Sequence, residues 1–113
     1  MLLSVNQQSF SKDVLDSPQP VLVHFWAPWC GLCRMLEPLL AKFQSEWDGQ
    51  LKLVGINADE NFTLANTYRL KTLPTLILFD RGVAVQRLED FQGREELQQI
   101  LNTIKLNLLA RSA

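Results

Sequence analysis

Cysteine and histidine are scarce here, two and one respectively in 113 residues, and neither charge sign is in surplus. Eleven basic side chains stand against twelve acidic ones, for a net charge of −1. Nucleic-acid surfaces depend on clustered Lys and Arg, so no nucleic-acid partner is expected. No stretch approaches the roughly 18 apolar residues of a membrane span. Even residues 21–29 are broken by His24 and Pro28. Residues 1–10 carry neither a basic leader nor a long apolar core, which gives the expectation of a soluble protein, off the membrane, that stays in the cytoplasm. No repeat, low-complexity tract or linker divides the chain, so residues 1–113 are expected to form one domain. A chain of that length buries roughly two-thirds of its unfolded surface and needs no staples.

What is present is periodic. Residues 2–5 suit a short edge strand. Phe10, Val14 and Leu15 recur at helical spacing over residues 9–15, and the cluster Asp16-Ser17-Pro18-Gln19-Pro20 ends that element. The near-continuous apolar run over 21–26 predicts a central strand covered on both faces. After a turn over 27–30, Cys33, Leu36, Leu40, Phe43 and Trp47 form one stripe of a helix that Asp48-Gly49 should stop and Pro38 should bend. A strand over 51–57 and a short helix over 61–68 follow. Strands over 75–79 and 83–88 flank a tight connection, Asp80-Arg81-Gly82. A last helix carries Leu97, Ile100, Leu101, Ile104 and Leu108 on one face. The first half calls for a parallel crossover and the hairpin adds antiparallel pairing, so the expected fold is α/β, a mixed sheet with helices on both faces.

The two cysteines, Cys30 and Cys33, are three apart, a spacing that chance gives about once in sixty placements. Cys30 follows a strand and turn at the opening of a helix, and Cys33 lies one turn further in. Residues i and i+3 of a helix sit roughly 5 Å apart, within reach of a disulfide. Free backbone N–H groups and the helix dipole stabilise a thiolate at a helix N-terminus, and the thiolate is the attacking species. Cys30 is therefore the expected nucleophile, and Cys33, on the apolar stripe, the buried partner that resolves a mixed disulfide. Other readings stay open at this point. One is a structural disulfide, weakly motivated by so short a loop. Another is a pair of inert thiols. A third is a metal or iron–sulfur cluster bridging two chains, since one chain offers too few ligands.

The run Phe25-Trp26-Ala27-Pro28-Trp29-Cys30-Gly31-Leu32-Cys33-Arg34-Met35, with Pro38 inside the helix, resembles the thioredoxin family. Leu73-Pro74-Thr75-Leu76 resembles that family's cis-proline loop, and Asp80-Arg81-Gly82 and Phe10 with Asp13-Val14-Leu15 are similar to further landmarks. The resemblance spans roughly residues 5–108. It implies a thioredoxin fold, a central mixed sheet of about five strands flanked by four helices. It also implies a cis peptide bond at Leu73–Pro74 and a substrate-contacting platform of Trp29, Gly31, Leu32, Leu73 and Pro74 around an exposed Cys30 sulfur. Trp26 is expected to pack below the site.

Four positions depart from the family. Leu32 stands where proline is usual; it restores an N–H and should loosen the turn. His24 stands in place of a buried aspartate taken to assist deprotonation of Cys33. Strand alternation points it inward with Leu22 and Trp26. It is a candidate proton acceptor in its neutral form, an electrostatic aid to the thiolates if protonated, or simply a buried histidine satisfied by a carbonyl. Gly55 stands where that aspartate's lysine partner belongs. Asp90 falls at the position of a small groove glycine, where a carboxylate would repel acidic partners, raise a neighbouring thiol or merely be an exposed loop charge.

The expectation is a protein dithiol–disulfide oxidoreductase in cell redox homeostasis and electron transport. Its partners would be disulfide-containing target proteins and an upstream thioredoxin reductase. It would act as a monomer with no metal and no cofactor beyond the Cys30–Cys33 disulfide. The alternative is a redox-regulatory or binding module of the same fold with weak general reductase activity.

Overall fold

The computed structural model describes residues 2–47 and 49–112, the side chains of 107 and 110–112 excepted. Its strands are β1 (Leu3–Ser4), β2 (Val21–Trp26), β3 (Lys52–Asn57), β4 (Thr75–Asp80) and β5 (Val83–Leu88), joined into one sheet in the order β1-β3-β2-β4-β5. β1 and β2 run parallel to β3, while β4 is antiparallel to both β2 and β5. The apolar run Val21–Trp26 thus becomes the middle strand. Its successive side chains feed two separate cores, as a period of two requires. Leu22 joins Leu53, Leu76 and Leu78 under helices α1 (Gly31–Glu46) and α3 (Arg94–Ser112). Val21, Val23 and Phe25 join Ile56, Ile77 and Phe79 on the other face, with Phe10, Val14 and, from helix α2 (Phe62–Thr67), Leu64.

The helical stripe expected from spacing is the buried face of α1, with Cys33, Leu36, Leu40 and Phe43 turned inward and Pro38 within the helix. Trp47 closes the helix as its C-cap; Asp48, expected to stop it with Gly49, lies outside the described residues. In α3, Leu97, Leu101, Ile104 and Leu108 are buried and Ile100 packs against them from the edge.

Two local expectations need correction. Residues Ser11–Leu15 wind with a wider bond than an α-helix makes, Asp16 N–H donating to Ser11 O at 2.8 Å across five residues. Five residues are too few for periodicity to fix the pitch, and burial of Phe10 and Val14 decides it. Asp80 belongs to β4, paired with Val83, so only Arg81 and Gly82 form the connection, at φ +54° and +81°. Two successive positive φ values match the right-handed twist of a two-residue hairpin, and Gly82 adopts its value without steric cost.

Candidate active site

Cys30 is the N-cap residue of α1. Its backbone is extended (φ −87°, ψ 101°), and its Sγ accepts the Cys33 N–H at 3.1 Å. The sulfur therefore sits among the unpaired first-turn donors of the helix, where negative charge is favoured. Cys30 and Cys33 are joined in a disulfide with Cα atoms 5.3 Å apart. The expectation of an exposed nucleophile is corrected here, since Cys30 is only 5 % exposed and Cys33 3 % in this oxidised form. Trp26, Leu32 and Leu73 pack around the cluster of Ala27 and the two cysteines and cover it.

Leu73–Pro74 is a cis peptide bond, and Pro74 is buried at the head of β4. Of the expected platform, Leu32 and Leu73 are brought to the cysteine cluster. Leu32 is also packed against the main core, so leucine at this position anchors the first turn through its side chain. Gly31 is exposed and has open space where a Cβ would stand. Trp29 is 67 % exposed, and its indole N–H donates to Asp59 Oδ2 at 2.8 Å. Asp59 was not singled out from sequence. It stands 30 residues away and carries no periodic or motif signal.

His24 points inward as alternation demands and is buried on the Leu22 face. It pairs across the sheet with Gly55 on β3 and Leu76 on β4. Its Nε2 has no hydrogen-bond partner among the described residues, so a carbonyl does not satisfy that nitrogen. Burial lowers the imidazole from its ordinary 6.5 to about 4. One expectation changes with that: at neutral pH there is no imidazolium to favour thiolates. The lysine position of the family holds Gly55, where an added Cβ would lie 3.3 Å from Trp26 Nε1. Trp26 thus takes the space beside Gly55 that a longer side chain would need.

A cavity of about 450 Å³ opens on this side of the sheet, lined by His24, Trp26, Cys33, Arg34, Glu37 and Gly55, with Leu2, Ser4, Ala27 and Pro28. Arg34 entered the sequence reading only within the Phe25–Met35 run and Glu37 not at all, although Glu37 follows Cys33 by one helical turn, which was the available signal. Asp90 is exposed in a left-handed conformation, φ +61°, and accepts the Thr72 hydroxyl at 3.2 Å, which ties it to the loop before Pro74. Among the described residues no group of three or more His, Cys, Asp or Glu side chains is gathered to hold a metal ion. Nor is any helix among them long and apolar enough to cross a membrane. The redox-active group the site presents is its disulfide.

Comparison with known proteins bears on this geometry. The family model described as thioredoxin matches residues 1–105. A protein named thioredoxin from Synechocystis sp. is 47 % identical over 101 residues, covering 89 % of this chain and 92 % of the relative. Thioredoxin 1 of Nostoc sp. is 40 % identical over 97 residues, 86 % of this chain and 91 % of its own length. A Mycobacterium leprae protein named bifunctional thioredoxin reductase/thioredoxin is 39 % identical over 106 residues, 94 % of this chain and 23 % of the larger protein.

Proposed function

The chain belongs to the thioredoxin family and is a dithiol–disulfide oxidoreductase, and we propose that in it Cys30 attacks the target and Cys33 resolves the mixed disulfide. The observation that carries this reading is the placing of Cys30 Sγ at the N-cap of α1, accepting the Cys33 N–H. In the dithiol form, a Cys30 thiolate there keeps the same donor and the helix dipole. It attacks one sulfur of a target disulfide, and the other target sulfur leaves as a thiolate. Cys33, deprotonated, then attacks Cys30, the bond to the target breaks, and the second target thiolate departs as the Cys30–Cys33 bond forms. The target gains two electrons and the protein loses them.

Trp29, Gly31, Leu32, Leu73 and Pro74 are the contact surface for the target in this reading. Burial of the disulfide beneath Leu32 and Leu73 means that approach of a target involves some yielding of that rim. His24 serves as a neutral, buried spacer beside Cys33. With this reading go a single domain over 1–113, a monomeric state, no metal or organic cofactor, a cytoplasmic location, a role in electron transport and thioredoxin reductase as electron donor. The donor draws support from the Mycobacterium leprae relative, whose name joins both activities.

The test is capture. Cys33→Ser should accumulate mixed disulfides through Cys30 in cell extract, released by dithiothreitol, and Cys30→Ser should capture none. No captured protein with Cys33→Ser, or insulin reduction that survives Cys30→Ser, overturns the assignment. Negligible insulin reduction by the unaltered protein points instead to the regulatory module.

A further inference from the structure

Resolution requires Cys33 to lose a proton, and a proton placed on the imidazole of His24 would stay as a charge shut inside the protein, since that residue is only 3 % exposed. We propose that Glu37 receives the Cys33 proton through the cavity both residues line, which makes this exposed carboxylate a proton-handling residue of the reaction. The inference rests on the reading of Cys33 as the resolving sulfur.

Glu37 stands one helical turn beyond Cys33 on α1, and side chains at i and i+4 share a helix face. Cys33 is 3 % exposed while Glu37 is open to solvent, so the cavity of about 450 Å³ they share leads from a buried sulfur to the helix surface. The walls are mainly apolar, but Ser4, Arg34 and Glu37 are among the lining residues that can hold water there, and one water suffices to carry a proton between groups out of direct reach. Glu37 makes no ion pair or hydrogen bond among the described residues. Of the remaining walls only His24 could also take a proton, and it is buried where Glu37 opens to solvent. β1 contributes Ser4, with Leu2 from just before that strand, β3 contributes Gly55, and β2 contributes Trp26 beside His24. The one other charge, Arg34 on α1 itself, is a guanidinium that neither gives up nor accepts a proton in the working range.

The step balances. The Cys33 S–H proton passes through water to the Glu37 carboxylate, and the sulfur's electron pair forms the bond to Cys30. The Cys30–target bond breaks with its pair on the target sulfur. The proton on Glu37 then returns to solvent or to the departing thiolate.

Stopped-flow reaction of the reduced protein with Ellman's reagent separates the two events. The first thionitrobenzoate released reports attack by one cysteine, and the second reports resolution by the other. Near pH 6, Glu37→Gln and Glu37→Ala should slow the second release about ten-fold, and Glu37→Asp should recover part of the loss. The gap should close toward about pH 9, where hydroxide replaces the carboxylate. A second release within about two-fold of the unaltered protein near pH 6, or a gap of equal size at every pH, overturns the role of Glu37. If Cys33 is not the resolving sulfur, the second release persists in Cys33→Ser. That outcome overturns the underlying reading, whatever Glu37 does.

Discussion

His24 and Gly55 face each other directly across the parallel strands β2 and β3, and the indole of Trp26 occupies the space beside the glycine. His24 and Gly55 stand where the family's pattern has a carboxylate and its lysine partner. Their replacement by an uncharged imidazole and a bare Cα leaves the interior next to Cys33 without a fixed charge.

Acid should destabilise the folded protein through His24. Its folded pKa, about 4, lies below the ordinary 6.5, so the unfolded chain binds the extra proton first. Stability from this group is therefore complete above about pH 6.5 and is lost as the pH falls toward about 4, by on the order of 3 kcal/mol. Urea unfolding of the oxidised protein at a series of pH values should show this decline. His24→Leu should lack that part of it and be at least as stable at neutral pH, because an unpartnered nitrogen is removed. Equal acid sensitivity in both proteins would refute the assignment.

Gly82→Ala should cost more than Gly49→Ala. Both glycines have left-handed backbones, at φ +81° and +85°. A Cβ on Gly49 would meet nothing within 4 Å, while one on Gly82 would press on the Leu15 carbonyl oxygen at 3.1 Å. The first change should lose about 2–3 kcal/mol and the second about 1 kcal/mol in denaturant unfolding. Matching losses would mean that the Leu15 carbonyl yields freely.

Asp59→Ala should act on target binding rather than on sulfur chemistry. The Trp29 ring is held by a single hydrogen bond to that carboxylate, at 2.8 Å and exposed. Losing about 1 kcal/mol of positioning should raise KM for a protein disulfide roughly five-fold with kcat little changed. Trp29→Ala should raise it further. A fall in kcat alone would count against Trp29 as a contact residue.

Asp90→Gly should shift preference among targets. Glycine relieves the φ of +61°, which offsets the lost bond to Thr72, so stability should stay within about 1 kcal/mol. Reduction of an acidic disulfide peptide should quicken relative to a basic one at low salt, and the difference should fade as salt screens it. Unchanged relative rates would reduce Asp90 to an ordinary loop charge.

The sheet, the helices and the cysteine pair were legible because each rests on residues close in sequence. The alternation in 21–26, the stripe from Cys33 to Trp47 and the Leu73-Pro74 dipeptide are all local patterns. What escaped depends on contacts between distant segments. Asp59 reaches Trp29 only because the end of β3 returns beside the turn after β2. The cover over Cys30 includes Leu73, 43 residues further along the chain. His24 was placed on the correct face by alternation, but its protonation follows from how completely the surrounding elements exclude water, which one strand's pattern does not encode. The wide turn at Ser11–Leu15 and the membership of Asp80 in β4 are set by packing and by strand twist rather than by residue preference.

The segment leading to Pro74 is moored at several points. The guanidinium of Arg87, on β5, bonds the carbonyls of Tyr68 and Arg69 at the end of α2. Thr72 then bonds Asp90 by its side chain and accepts the Thr75 hydroxyl by its carbonyl. Ordering a free backbone costs about 1–2 kcal/mol per residue, and here that loss has already been taken during folding. On the proposed reading of this loop as a target contact, an incoming strand meets a backbone already laid like a rail, and little of its docking free energy is spent on ordering that backbone.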